Sequence, residues 1–261
     1  MRQQSHAIFL STYRSLIVAM ACLPIASAQI ALLYRVGPFE QQVHVSFTES
    51  DGLPSNNVSR IACDGSGNVY IDTGHGLAEF RDRKWTEQPA QDSARSWKEV
   101  TWYPSLAAHV GTKENIRGQA TRNGEIAVAA TNGLYIGDGE KWSLALPRDG
   151  DTRWAPVDVR AVDYDPDGHL WFACPQGVGY RVKDDEWRLF TGEDGLPFNE
   201  FTCMAAGAKG VWFGTTNGAI RYIDGDFEFR QGRRWLLDNH VRDIAVTPDG
   251  SVWFATAAGV S

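Results

Sequence analysis

Short apolar runs recur along this chain, each introduced by a polar turn and trailed by small residues. Five of them align without gaps: Asn68-Val69-Tyr70-Ile71, Glu125-Ile126-Ala127-Val128, His169-Leu170-Trp171-Phe172, Gly210-Val211-Trp212-Phe213 and Ser251-Val252-Trp253-Phe254. Their third residues fall at positions 70, 127, 171, 212 and 253, and six positions after each stands a glycine: Gly76, Gly133, Gly177, Gly218 and Gly259. Nine or ten positions beyond the glycine, the first four units place an aromatic: Trp85, Trp142, Trp187 and Phe227. Upstream of the runs lie apolar pairs such as Val58 with Ile61, Val159 with Val162, and Val241 with Ile244. Turn sequences such as Asp165-Pro166-Asp167-Gly168 separate pair from run. There Pro presets the turn dihedral and Gly supplies the positive one.

Each unit therefore predicts four short antiparallel strands, which we term a to d. Strand a carries the apolar pair, b the apolar run, c follows the glycine, and d holds the outer aromatic. Strand b is apolar on both faces and then narrows, as in Trp212-Phe213-Gly214-Thr215. That pattern suits a strand covered on both sides where wedge-shaped sheets converge. A four-stranded period of about 40–45 residues is that of a β-propeller blade. The expected fold is all-β, a propeller of about five four-stranded blades.

The chain ends bear on closure. Ala258-Gly259-Val260-Ser261 falls where strand c of the fifth unit should begin. Near the start, Ala31-Leu32-Leu33-Tyr34-Arg35-Val36 is similar to strand c of the third unit, Gly179-Tyr180-Arg181-Val182. Both segments lead into Asp-Gly-Leu-Pro, at Asp51 to Pro54 and Asp194 to Pro197. The expectation is that N-terminal strands c and d pair with C-terminal strands a and b in one shared blade. That arrangement closes the ring and removes exposed edges. A truncated arc of a larger ring is the competing architecture.

Residues 1–28 read as a secretory signal peptide, leaving a propeller domain over 29–261. Arg2 and Arg14 flank a polar start, Leu16 to Ile25 is a short apolar run, and Ala26-Ser27-Ala28 supplies a small-residue cleavage site. The run falls short of the roughly 20 residues that cross a bilayer. The expected location is therefore extracytoplasmic, periplasmic or secreted, with no membrane span. At 43% hydrophobic and 22% charged, the composition excludes a disordered or collagen-like chain. A net charge of -7, becoming -9 once Arg2 and Arg14 are removed, argues against a nucleic-acid partner. Cys63, Cys174 and Cys203 remain after the signal, without a Cys-x-x-Cys pair, so zinc and thioredoxin-type chemistry have no support. Cys63 and Cys203 read as small core residues. Asp165-x-Asp167-Gly168 begins like a calcium loop, but its twelfth position is Gln176, so a plain turn is expected. No cofactor or metal is expected.

The run Trp212-Phe213-Gly214-Thr215-Thr216-Asn217-Gly218-Ala219-Ile220-Arg221-Tyr222 resembles the two-component regulator propeller repeat. Asp51 to Val58, Asp-Gly-Leu-Pro-Ser-Asn-Asn-Val, is similar to its usual lead-in, and Pro166 to Phe172 fits as well. The resemblance spans about residues 43–261 and is weakest in the second unit, where Ala127 replaces the aromatic. It implies an extracytoplasmic sensor propeller, often one that recognises sugars. The sequence contains no kinase or DNA-binding output.

In this strand order the d-to-a and b-to-c connections share one face of the ring, and the longest connections belong to it. Residues 86–115 hold Trp97, Trp102, Tyr103 and His109; residues 148–158 hold Arg153 and Trp154; residues 230–240 hold Arg233, Arg234, Trp235, Asn239 and His240. Asn57, Asp158, Glu200 and His240 open the strands a and are expected to ring the channel mouth. Aromatic platforms beside amide, acid and guanidinium groups suit an oligosaccharide or a peptide with polar ends. The candidate ligand-binding set is thus Asn57, Trp97, Trp102, Trp154, Asp158, Glu200, Arg234, Trp235 and His240, acting without catalysis. Two alternatives stand beside it. One is a propeller lyase of the streptogramin-inactivating type or a glycan-active enzyme, with His240 and Glu200 as base and acid. The other is a protein-docking scaffold.

Overall fold

Strand formation follows the repeat. In the computed structural model, which describes residues 44–89 and 100–261, the first unit forms β1 (Arg60–Cys63), β2 (Val69–Asp72), β3 (Leu77–Arg81) and β4 (Lys84–Gln88). The second forms β5 (Ile116–Arg122), β6 (Glu125–Ala130), β7 (Gly133–Gly137) and β8 (Trp142–Leu144), after a short helix α1 (Ala107–Val110). A small hairpin, β9 (Arg148–Asp149) with β10 (Thr152–Arg153), precedes the third unit. That unit comprises β11 (Ala161–Tyr164), β12 (Leu170–Cys174), β13 (Gly177–Lys183) and β14 (Glu186–Phe190). The fourth comprises β15 (Phe201–Gly207), β16 (Gly210–Thr215), β17 (Gly218–Ile223) and β18 (Asp226–Arg230). The fifth has β19 (Asp243–Val246), β20 (Val252–Thr256) and β21 (Gly259–Val260). The sheets are antiparallel meanders in chain order, and the fold is an all-β propeller.

The glycine at fixed offset has a steric cause. Gly177, Gly218 and Gly259 open their strands with φ of 149°, 132° and 131°. A Cβ there would run into the carbonyl oxygen of the adjacent outer strand, at Phe190, Arg230 and Phe47 respectively. Only glycine lets the outer strand lie this close.

The five innermost strands run in one direction around a common centre. Innermost strands pack side by side in the order β1, β19, β15, β11, β5. The residue that opens each of three strands stitches it to the neighbouring sheet. Val58 N–H donates to Thr256 O (3.1 Å), Val159 N–H to Ala130 O (3.0 Å) and Val241 N–H to Thr215 O (3.1 Å). Carboxylates add further staples: Asp243 accepts from Ile61 N–H at 3.0 Å, and Asp163 from Ala206 N–H at 3.2 Å. Each supplies an acceptor to an inner-edge amide that has no strand partner on that side. Among the described residues, no packing of comparable extent joins β5 back to β1. Residues 90–99, in the connection between those two sheets, lie outside the described residues.

Between sheets the core is aromatic and aliphatic. Trp171, Phe213, Ile220 and Met204 bury together between the third and fourth sheets. Val58, Ile61, Ile71, Trp85 and Val260 do so between the first and fifth. Burying each such side chain contributes about 1.5–3 kcal/mol.

The shared blade differs from the sequence expectation. Strand c of the fifth sheet is β21, from the C-terminal segment, and only strand d comes from the N-terminal side. Phe47 provides it, exchanging hydrogen bonds with Val260 (Phe47 N–H to Val260 O, 2.8 Å; Val260 N–H to Phe47 O, 3.0 Å). The Phe47 ring stacks on Trp253 at 5.8 Å and meets Phe80 at 5.1 Å, tying the fifth sheet to the first. Residues 31–36, the expected strand c, and the signal segment 1–28 lie outside the described residues.

Candidate functional site

The strands a converge on a central cavity of about 500 Å³, lined by residues from all five of them. Because these strands run the same way, their first residues share one end of the cavity, on the face of the long connections. Four arginines stand among the lining residues: Arg60, Arg117, Arg160 and Arg242. Arg117, Arg160 and Arg242 directly follow the buried residues Ile116, Val159 and Val241. Thr202 holds the same place after Phe201 in the fourth unit. Further in, the lining turns to Ala62, Cys63, Val162, Cys203, Met204 and Ala205.

The charge balance at this mouth can be followed group by group. Arg60 pairs with Asp72 at 2.7 Å and Arg160 with Asp158 at 2.5 Å. Burial pushes the Asp72 carboxyl up, but the Arg60 hydrogen bond and the Gly74 N–H outweigh it and hold it below the usual carboxylate range. Arg117 Nε lies 3.9 Å from Asp158, at the limit of ion pairing. Arg242 donates to neutral acceptors, Asn57 Oδ1 at 2.5 Å and Val58 O at 3.2 Å. Asp163 and Asp243, the carboxylates of the lining, accept backbone amides of neighbouring strands.

The residues singled out from the sequence fall into three groups. Asn57, Asp158, Glu200 and His240 lie just before the innermost strands, each directly preceding the buried residue, and none is among the residues lining the cavity. Asn57 and Asp158 act one step out, by holding Arg242 and Arg160. Glu200 is exposed and accepts from the Thr216 hydroxyl at 2.6 Å, while His240 is exposed with its backbone N–H on Asp238. Among the described residues no hydrogen bond joins His240 to Glu200. The aromatics form the second group, and here the platform expectation is corrected. Trp154 is only 7% exposed, its ring edge-on to Phe172 in the core between the second and third sheets. Trp102 is half-buried against the cluster around Leu106 and Tyr135. Trp235 is half-buried beside Leu236 and Phe254, with the Arg230 and Arg234 guanidinium groups 4.9 Å and 5.3 Å from its ring centre. These rings plug blade ends because a loop aromatic gains more from burial than from open solvent. Trp97, the third group, lies outside the described residues.

Two further expectations meet the structure. Cys63 and Cys203 are half-buried, packed against the inter-sheet cores and also lining the cavity; Cys174 is fully buried, and burial raises its thiol. The Asp165–Gly168 segment is a turn on the opposite face, with Gly168 N–H on Asp165 O at 3.0 Å. The Asp165 carboxylate accepts from His169 N–H, His169 Nδ1 and Trp171 Nε1, each at 2.9 Å, which anchors the turn to β12.

The arginines were missed in the sequence although the signal was present. Shifting the strand-opening column by two residues brings Arg117, Arg160 and Arg242 into register. No helix among the described residues is long and apolar enough to cross a membrane.

The chain is similar in fold to several solved structures. The extracellular domain of the hybrid two component system BT3049 from B. thetaiotaomicron matches over 80% of this chain and 33% of its own, at 17% identity and TM-score 0.45. That of BT4673 from the same organism matches over 78% and 27%, at 15% identity and TM-score 0.47. The chain thus spans about a third or less of those two domains. Virginiamycin B lyase from Staphylococcus aureus matches over 83% and 71%, at 17% identity and TM-score 0.43. No curated protein matches the chain. The family model of the two component regulator propeller matches residues 236–258, from the approach loop through β19 and β20. That stretch of the fifth unit is a two component regulator propeller repeat, in keeping with the resemblance carried by Trp212 to Tyr222 in the fourth.

Proposed function

We propose that this chain is an extracytoplasmic propeller that binds a small polar ligand, an oligosaccharide or a peptide with polar ends, without transforming it. The observation that carries the reading is the cavity of about 500 Å³ where all five innermost strands meet. A volume of that order suits a small-molecule site. Asn57, Asp158, Glu200, Arg234, Trp235 and His240 form its outer rim in this reading, with Trp102 and Trp154 holding the surrounding loops in place. The propeller repeat in the fifth unit supports a sensing role over an enzymatic one.

The test is direct titration of the full chain with neutral saccharides, acidic saccharides and short peptides, followed by tryptophan fluorescence and calorimetry. Gln119 is a half-buried lining residue, and Gln119→Trp fills the mouth without entering an inter-sheet core. It should weaken binding of the best ligand at least about tenfold, or 1.4 kcal/mol. Unchanged affinity would move the site off the cavity, and turnover of a bound compound would replace binding with catalysis.

A further inference from the structure

The outer edges of the sheets differ in how they are protected. An edge strand turns unpaired N–H and C=O groups outward, and charged side chains or a covering segment normally discourage pairing there. β4 carries exposed Lys84 and Glu87, and β18 carries Asp226 and Glu228. β14 is flanked by β9, with Leu189 N–H donating to the Asp149 carboxylate at 3.1 Å. β8 has neither device. Trp142, Ser143 and Leu144 are uncharged, and the uncharged run continues through Ala145 and Leu146. Leu144 is 47% exposed and Leu146 46%. The bonds to neighbouring strands show which backbone groups face out. Ala145 N–H donates to Leu134 O at 2.8 Å, Lys141 O accepts from Asp138 N–H, and Pro147 O accepts from Trp154 N–H, so the odd-numbered residues bond inward. Backbone groups alternate in direction along a strand, which turns those of Trp142, Leu144 and Leu146 outward. Pro147, lacking an N–H, falls on the inward set and interrupts nothing at the edge.

We propose that this chain pairs with a second copy of itself along β8, antiparallel and two-fold symmetric about Leu144. The edge is self-complementary in that register. Leu144 faces Leu144 of the other copy, Trp142 faces Leu146, and Glu140 faces Arg148. Apolar side chains meet apolar ones in the middle, and at each end a carboxylate meets a guanidinium. Glu140 and Arg148 are both exposed, and opposite charges directly across two strands stabilise the pair. The outward-facing residues become the hydrogen-bonded pairs of the ladder, each exchanging two N–H···O=C bonds. A two-fold axis uses the same patch on both copies, so every contact is made twice. β8 contributes no residue to the cavity lining, so pairing and ligand binding are separate properties. One strand pair is smaller than a standard interface, and association in the micromolar range is expected.

The experiment is sedimentation equilibrium of the full chain across roughly 1–100 μM, where a small interface associates. The mass should rise from one copy to two. Leu144→Lys sets two like charges against each other on the axis and should weaken the dimer at least about tenfold. Glu140→Arg and Arg148→Glu should each weaken it at least about threefold, by opposing like charges at both ends. Combining the two exchanges the charges and should restore the parent affinity, an outcome that a merely structural role for either residue does not produce. Thermal melts of all four variants should match the parent, because the altered side chains are exposed. A chain that stays a single copy throughout, or a dimer indifferent to Leu144→Lys, would overturn the pairing. A dimer that the single charge reversals weaken and the double exchange does not restore would overturn the register about Leu144.

Discussion

Removing the Phe47 ring tests how the N-terminal side of the propeller is attached. Phe47 is half-buried, stacked on Trp253 at 5.8 Å and packed on Phe80 at 5.1 Å and Trp85 at 5.8 Å. Truncating a fully buried Phe to Ala costs about 3–5 kcal/mol. Scaled for partial burial, Phe47→Ala should cost about 2–3 kcal/mol. Alanine keeps both backbone hydrogen bonds to Val260, so the loss reports packing alone. In a domain of this size it corresponds to a fall in Tm of roughly 5–10 °C. Urea unfolding followed by tryptophan fluorescence is the assay, because Trp253 and Trp85 sit in the same cluster. Val157→Ala, at a side chain 56% exposed, provides the comparison and should stay within about 0.5 kcal/mol. If Phe47→Ala also stayed within about 0.5 kcal/mol, Phe47 would not be the fourth strand of the fifth sheet in solution.

Two other expectations follow from the stitching of the sheets. Asp243→Ala removes the acceptor of Ile61 N–H and should lower stability by about 1–3 kcal/mol in the same urea assay. The Asp165 carboxyl gives a pH signature: partial burial pushes it up, but the Trp171 indole, the His169 side chain and the His169 N–H outweigh that and hold it below the ordinary range. Its stabilising contribution is therefore complete above the unfolded carboxylate pKa, roughly 3.9, and is lost as pH falls through the lower folded value. Acid unfolding followed at Trp171 should show this limb, and Asp165→Asn should flatten it.

How much was legible depended on whether a feature repeats. The strand runs, the turns and the glycine before strand c are written five times, so chance cannot imitate them. The steric reason, a carbonyl oxygen where Cβ would stand, is the same at Gly177, Gly218 and Gly259. The shared blade was read one strand out. Strand c there is two residues long, Gly259–Val260, and too short to recognise until Phe47 is seen beside it. The loop aromatics were misread for a different reason. Sequence shows that Trp154 and Trp235 lie in long connections, but not that each fills a blade end, and a ring that fills a gap looks the same in sequence as one that faces solvent.

The mouth illustrates what repetition does to function in such a fold. Positions equivalent in sequence lie at equal depth on strands that converge, so one column of the repeat becomes one ring of side chains. In this chain the column after the buried opener reads Ser59, Arg117, Arg160, Thr202 and Arg242, with Arg60 one residue further in the first unit. Spread over an open surface, such arginines would be screened from one another beyond a Debye length of about 8 Å. Gathered at one cavity, they lie among the carboxylates of Asp72, Asp158, Asp163 and Asp243, so charges of both signs meet there. The column before the opener holds Asn57, Asp158, Glu200 and His240, and through Asn57 and Asp158 it orients two of those arginines. Adjacent columns of the same repeat thus take different places, one lining the cavity and the other holding groups that line it, and the difference follows from which side of the buried residue each one stands.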